Sequence, residues 1–107
     1  MIIREDIVVY KGRNSPRTIT VSLHGSPIDF ESVATKMGIV INGVEYSSED
    51  GFIEYEDGGL VTFKLGTVPT PPTTKSLGRL ILYTDEYLLG RPIITEKTDY
   101  QLLFEFR

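Results

Sequence analysis

Two phrases set about 30 residues apart restrict what this chain can fold into more than anything else in it. The first is Ile19-Thr20-Val21-Ser22-Leu23-His24-Gly25-Ser26-Pro27-Ile28-Asp29-Phe30. The second is Glu56-Asp57-Gly58-Gly59-Leu60-Val61-Thr62-Phe63-Lys64-Leu65-Gly66. Each couples an alternating apolar/polar run to a turn of Gly, Pro or Asp. Alternation at period two places apolar side chains on one face of a strand. Ile19, Val21 and Leu23 face one way, while Thr18, Thr20, Ser22 and His24 face the other. Val61, Phe63 and Leu65 repeat the pattern opposite Leu60, Thr62 and Lys64.

The same grammar runs along the chain. Ile3 to Lys11 reads as a first strand, closed by a turn at Gly12-Arg13-Asn14-Ser15-Pro16. Gly25-Ser26-Pro27 is expected to break the strand before it, since Pro cannot donate to a ladder. Gly38 to Val44 is a strand turning at Asn42-Gly43, the strongest short hairpin signal present, with Val44-Glu45-Tyr46 as return arm. Ser48 to Gly51 is a turn, and Phe52 to Tyr55 a short strand. Leu77 to Asp85 follows, its Leu80-Ile81-Leu82-Tyr83 long enough for burial on both faces. Gly90-Arg91-Pro92 marks a break, and Ile93 to Thr95 and Tyr100 to Phe106 complete the strands. Asp29 to Lys36 stays open between a short strand and a single helical turn, because Phe30, Val33, Ala34 and Met37 have helical spacing over too few residues.

About eight short strands with no strong amphipathic helix, repeat or linker predict an all-β fold. An immunoglobulin-like antiparallel β-sandwich is expected, as one domain over residues 1–107. A chain of 107 residues can bury one core without staples. Cysteine is absent, which excludes a disulfide framework and thiolate zinc. The net charge of −4 argues against sequence-independent nucleic-acid binding, which needs a basic footprint. No apolar run approaches the ~20 residues of a membrane helix. Met1-Ile2-Ile3-Arg4-Glu5-Asp6 lacks the pattern of a signal peptide, so the mature chain is expected to begin at or near Met1.

Little in the sequence points to catalysis. His24 is the single histidine, at a strand end, so a Ser/His/Asp triad would have to use it. Glu54 and Glu56 share a strand face, and Asp85-Glu86 cap another strand. They read as solvated acids, because a glycosidase needs a cleft as well as a carboxylate pair. Glu54-Tyr55-Glu56-Asp57-Gly58 lacks the spacing of a calcium loop. No catalytic, metal or cofactor site is expected.

Two features suit contact with other proteins. Between Lys36 and Lys64 there is no Lys or Arg, yet Glu45, Glu49, Asp50, Glu54, Glu56 and Asp57 fall there, while Arg13 and Arg17 precede it. That split reads either as a solvated face or as charge complementarity between copies or partners. Thr67 to Ser76 is the one low-complexity stretch, with Pro69, Pro71, Pro72 and Thr73. It reads as a mobile connection or as an arm that orders on a neighbour. The candidate interface is therefore Pro69, Pro71, Pro72, Thr73, Glu45, Glu49, Asp50, Arg13 and Arg17.

The phrases resemble the β-sandwich domains of bacteriophage virion proteins, above all the N-terminal domain of phage baseplate upper proteins. The matching segments are Gly25-Ser26-Pro27-Ile28-Asp29-Phe30, Gly59-Leu60-Val61-Thr62-Phe63 and Gly78-Arg79-Leu80-Ile81-Leu82-Tyr83-Thr84-Asp85. Phe30 stands where the family carries Leu, and the Pro/Thr stretch is an insertion. The resemblance implies a non-enzymatic structural protein of the tail, baseplate or head–tail neck. It would assemble in the bacterial host cytoplasm with other virion proteins and as a homo-oligomer, without nucleic acid or membrane. The rival expectation is a carbohydrate- or cell-surface-binding module, with Tyr46, Tyr55, Tyr83 and Tyr87 as a stacking platform.

Overall fold

The structure, a computed structural model, describes residues 2–23 and 25–107. Its elements are β1 (Ile3–Val9), β2 (Pro16–Thr20), β3 (Ser22–Leu23), β4 (Ser26–Pro27), α1 (Phe30–Val33), β5 (Lys36–Ile41), β6 (Val44–Ser47), β7 (Ile53–Glu56), β8 (Leu60–Lys64), β9 (Ser76–Tyr83), β10 (Arg91–Ile94) and β11 (Tyr100–Phe106). The larger sheet runs β1-β11-β9-β5-β6, and β10 also pairs with β9. A smaller antiparallel sheet runs β2-β8-β7, and β3 pairs with β4 alone. Both larger sheets feed one hydrophobic cluster. Ile19, Ile53, Val61 and Phe63 enter it from the smaller sheet, and Ile7, Ile39, Leu80, Leu102 and Phe104 from the larger. The Phe63 and Phe104 rings meet edge to face at 5.3 Å, joining the two sheets.

The two opening phrases lock onto each other. β2 and β8 pair antiparallel, with Ile19 opposite Val61 and Thr20 opposite Leu60. Past the end of that ladder three backbone amides form a closed cycle. Val21 N–H donates to the Gly59 carbonyl at 2.7 Å, Gly59 N–H to the Ile28 carbonyl at 2.7 Å, and Ile28 N–H to the Val21 carbonyl at 3.3 Å. Asp29 accepts from the Gly58 N–H through Oδ1 at 3.1 Å. The Asp57 carboxylate returns the contact by accepting from the Ser32 N–H and hydroxyl. Gly59 has φ +78°, and a Cβ there would sit 2.3 Å from the Val21 carbonyl oxygen, so the cycle needs a glycine.

The alternation reads through to burial. Ile19, Val21, Val61, Phe63 and Leu65 are buried, while Thr18 and Thr20 are exposed. His24 and the side chain of Leu23 lie outside what is described. Asn42 (φ 52°) and Gly43 (φ 80°) are both left-handed, as a type I′ hairpin turn between β5 and β6 requires. Asp29 to Lys36 takes the helical option, as the single turn α1 that buries Phe30 against the edge of Tyr55.

Three expectations need correction. The sheets are not all antiparallel: β1 lies parallel to β11, from Ile3 beside Tyr100 to Val9 beside Phe106. Ser26-Pro27 does not simply end the preceding strand but pairs back on Ser22-Leu23. In a ribbon two residues long, Pro27 forfeits at most one ladder bond. Leu80 and Leu82 are buried, but Ile81 and Tyr83 on the other face of β9 are only half-buried.

Candidate functional site

The structure sorts the nine candidate residues into separate places. The Pro/Thr stretch folds back over the β5–β6 hairpin. Pro72 is buried and Pro71 half-buried, while Pro69 and Thr73 stay exposed. These four residues and Ile41, Val44 and Tyr46 line a largely apolar groove of about 420 Å³. Val44 is 51% exposed, so an unpartnered apolar side chain stands in it.

Glu45 lies on the outer strand β6, where its carboxylate accepts from the Tyr83 hydroxyl at 2.7 and 2.9 Å. Burial first, then this hydrogen bond and the Glu45 charge, push the Tyr83 phenol up to about 12. Lys36 stands 4.6 Å from the centre of the Tyr83 ring and pairs with Glu49 at 3.3 Å. Glu45 and Glu49 thus belong to one polar strip crossing β6, β9 and β5. Arg17 donates to Glu5 at 2.7 Å and ties β2 to β1. Arg13 and Asp50 come together in a cleft of about 490 Å³, with Phe52 and Lys64. Lys64 itself pairs with Glu54. Much of the acidic interval is therefore met by cations and hydroxyls of its own chain.

One exposed feature holds, beside Tyr87, two leucines that no sequence pattern marked. Between β9 and β10 the chain projects Tyr87, Leu88 and Leu89, which are 42%, 76% and 96% exposed. The base of this loop is fastened. Thr84 and Gly90 N–H groups both donate to the Tyr87 carbonyl, and Tyr87 N–H donates to Thr84 Oγ1 at 3.0 Å. The Arg91 guanidinium lies 5.5 Å from the centre of the Tyr87 ring. Gly90 has φ +88° and passes so close to Ile81 that a Cβ would approach its Cγ2 to 2.5 Å. The available signal was the position of the leucines, confined between Asp85-Glu86 and Gly90, too short a span to add a strand.

The four tyrosines proposed as a stacking platform are dispersed. Tyr46 is buried and packs edge-on against Phe52 at 5.9 Å. Tyr55 packs against Phe30, Tyr83 is bound to Glu45, and Tyr87 belongs to the projecting loop. Among the described residues, no cluster of three His, Cys, Asp or Glu side chains could hold a metal ion. No helix among them is long and apolar enough to cross a membrane. No protein-family model matches the chain, and no curated protein matches it in a sequence comparison.

Proposed function

We propose that this chain is a non-enzymatic structural protein of a phage or prophage virion, placed in the tail, baseplate or head–tail neck. It acts by assembly with other virion proteins and with copies of itself. In this proposal the fold is an immunoglobulin-like β-sandwich, a finer description supported by two sheets feeding one core.

The observation that carries the assembly role is the Leu88-Leu89 tip, held by a fastened base and almost fully in water. Burying a leucine side chain is worth about 1.5–3 kcal/mol, so such a tip favours a partner surface over solvent. The phage setting rests on the resemblance carried by Gly25 to Phe30 and Gly59 to Phe63, segments that meet in the backbone cycle. Mass measurement in solution, with and without tail and neck proteins, tests the proposal. Oligomers or a complex with a virion protein are expected. A chain that stays monomeric and binds no virion component would sink it.

A further inference from the structure

We infer that the cleft between the β1–β2 turn and the turn at residues 48–51 is a binding site for a neutral sugar residue. The site goes beyond the assembly role and does not depend on it.

Backbone hydrogen bonds hold both walls of the cleft. On one side Gly12 N–H donates to the Gly66 carbonyl at 2.6 Å, and Arg13 N–H to the Tyr10 carbonyl at 3.2 Å. Tyr10 N–H donates to Ser15 Oγ at 3.3 Å. A Cβ on Gly66 would overlap the Arg13 carbonyl oxygen, so this wall needs that glycine. On the other side Glu49 N–H donates to Ser47 Oγ at 3.1 Å. Gly51, at φ +82°, donates its N–H to the Ser48 carbonyl at 3.1 Å. Between the walls Lys64 N–H donates to the Phe52 carbonyl at 2.8 Å. A cleft fixed in this way loses little freedom when a ligand enters. Its volume, about 490 Å³, falls within the roughly 300–1,000 Å³ of small-molecule sites.

The lining holds the groups that a ring of hydroxyls needs. The Asp50 carboxylate only accepts, the Arg13 guanidinium only donates, and the Asn14 amide does both. Among the described residues no carboxylate lies within 4.0 Å of the Arg13 guanidinium, and no cation within 4.0 Å of Asp50. Both groups therefore keep their hydrogen-bonding capacity for a ligand. Two adjacent hydroxyls can donate together to one carboxylate, and two can accept together from one guanidinium. Charge argues against a simple ion. Arg13 balances Asp50 across the cleft, and Lys64 is balanced by Glu54, so no excess field collects an anion or a cation. Half-buried Phe52 gives the C–H face of the ring an apolar surface. The polar side chains are exposed to water, so a single sugar binds weakly, with a Kd of about 1 mM.

Amide NMR spectra of the whole chain, titrated with D-glucose, D-galactose, N-acetyl-D-glucosamine and L-rhamnose in turn, test the site. At least one sugar should give saturable shifts centred on Asn14, Gly51 and Gly66. Arg13→Ala and Asp50→Ala should each weaken that binding about tenfold, the worth of a hydrogen bond to a charged group. Both residues are exposed in turns, so signals away from the cleft should stay in place. Asp50→Asn, which keeps one acceptor, should fall between wild type and Asp50→Ala. Arg17→Ala should bind as wild type does, because Arg17 is engaged with Glu5 outside the cleft. The inference is overturned if none of the four sugars gives saturable shifts, if the shifts map elsewhere, or if they survive both alanine changes. Inorganic phosphate or glycine binding these residues more tightly than every sugar overturns the sugar class. The mass measurement that tests assembly reads separately from all of these outcomes.

Discussion

Gly58 and Gly59 are neighbours with almost the same backbone angle, φ +87° and +78°, yet their surroundings differ. A Cβ on Gly58 meets open space, whereas one on Gly59 meets the Val21 carbonyl oxygen at 2.3 Å. Gly58→Ala should therefore cost only the left-handed penalty, about 1–2 kcal/mol. Gly59→Ala adds the displacement of a buried backbone bond and should cost about 2–5 kcal/mol in total. Urea denaturation of the two variants, compared at equal m-value, checks the contrast. Tyr83 supplies a second residue-scale prediction. Its folded value lies near 12, above the ordinary 10.0, chiefly through burial and then through Glu45. Above pH 10 the unfolded chain releases this proton while the folded chain retains it. Stability therefore falls as pH rises from about 10 to 12, and none of this contribution is lost below pH 10. Tyr83→Phe should flatten that decline in a series of denaturant midpoints. An equal slope in both proteins would contradict the assignment.

Among the elements, the edge-to-face contact between Phe63 on β8 and Phe104 on β11 joins the two sheets inside their shared core. Both rings are fully buried, so Phe104→Ala should cost about 3–5 kcal/mol, a large part of the 5–15 kcal/mol typical of a small domain. Calorimetry should show a lowered Tm, or no cooperative transition at all. How legible an element was depended on how local its cause is. Asn42-Gly43 announced its hairpin because two left-handed residues in succession suit few other turns. Ile19, Val21, Val61 and Phe63 announced their buried face by alternation. The Ser22–Pro27 ribbon went unread because its two rungs carry no pattern, and a proline ordinarily argues against pairing. The proline groove was half legible. Composition marked Pro69 to Thr73 as unusual, but the burial of Pro72 is set by the distant β5–β6 hairpin. Leu88 and Leu89 were missed for the opposite reason. Leucine in a sequence reads as core, and only the fastened loop base shows that this pair faces water.

At the scale of the whole molecule, the pairing of β1 with β11 was the least legible feature, since Ile3 and Tyr100 find each other across nearly the full chain. Contacts so remote in sequence slow folding, into the range of milliseconds to seconds for all-β domains. The pair should also close late, after the β5–β6 and β7–β8 hairpins have formed. Val9→Ala, in β1, should then speed unfolding while leaving the folding rate nearly unchanged. Stopped-flow chevrons measure both limbs, and a slowed folding limb would show that β1 belongs to the nucleus instead.

The parallel direction of β1 and β11 also decides how the molecule carries load. Tension applied at Ile3 and Phe106 pulls on opposite ends of two strands joined side by side along seven paired residues. The rungs are then strained together in shear, where an antiparallel pair held at adjacent ends would open one rung at a time like a zip. A domain wired this way resists stretching along its β1–β11 seam, and it yields far more easily when pulled across the β6 edge. Single-molecule force measurements along the two axes would show it as a mechanically anisotropic link.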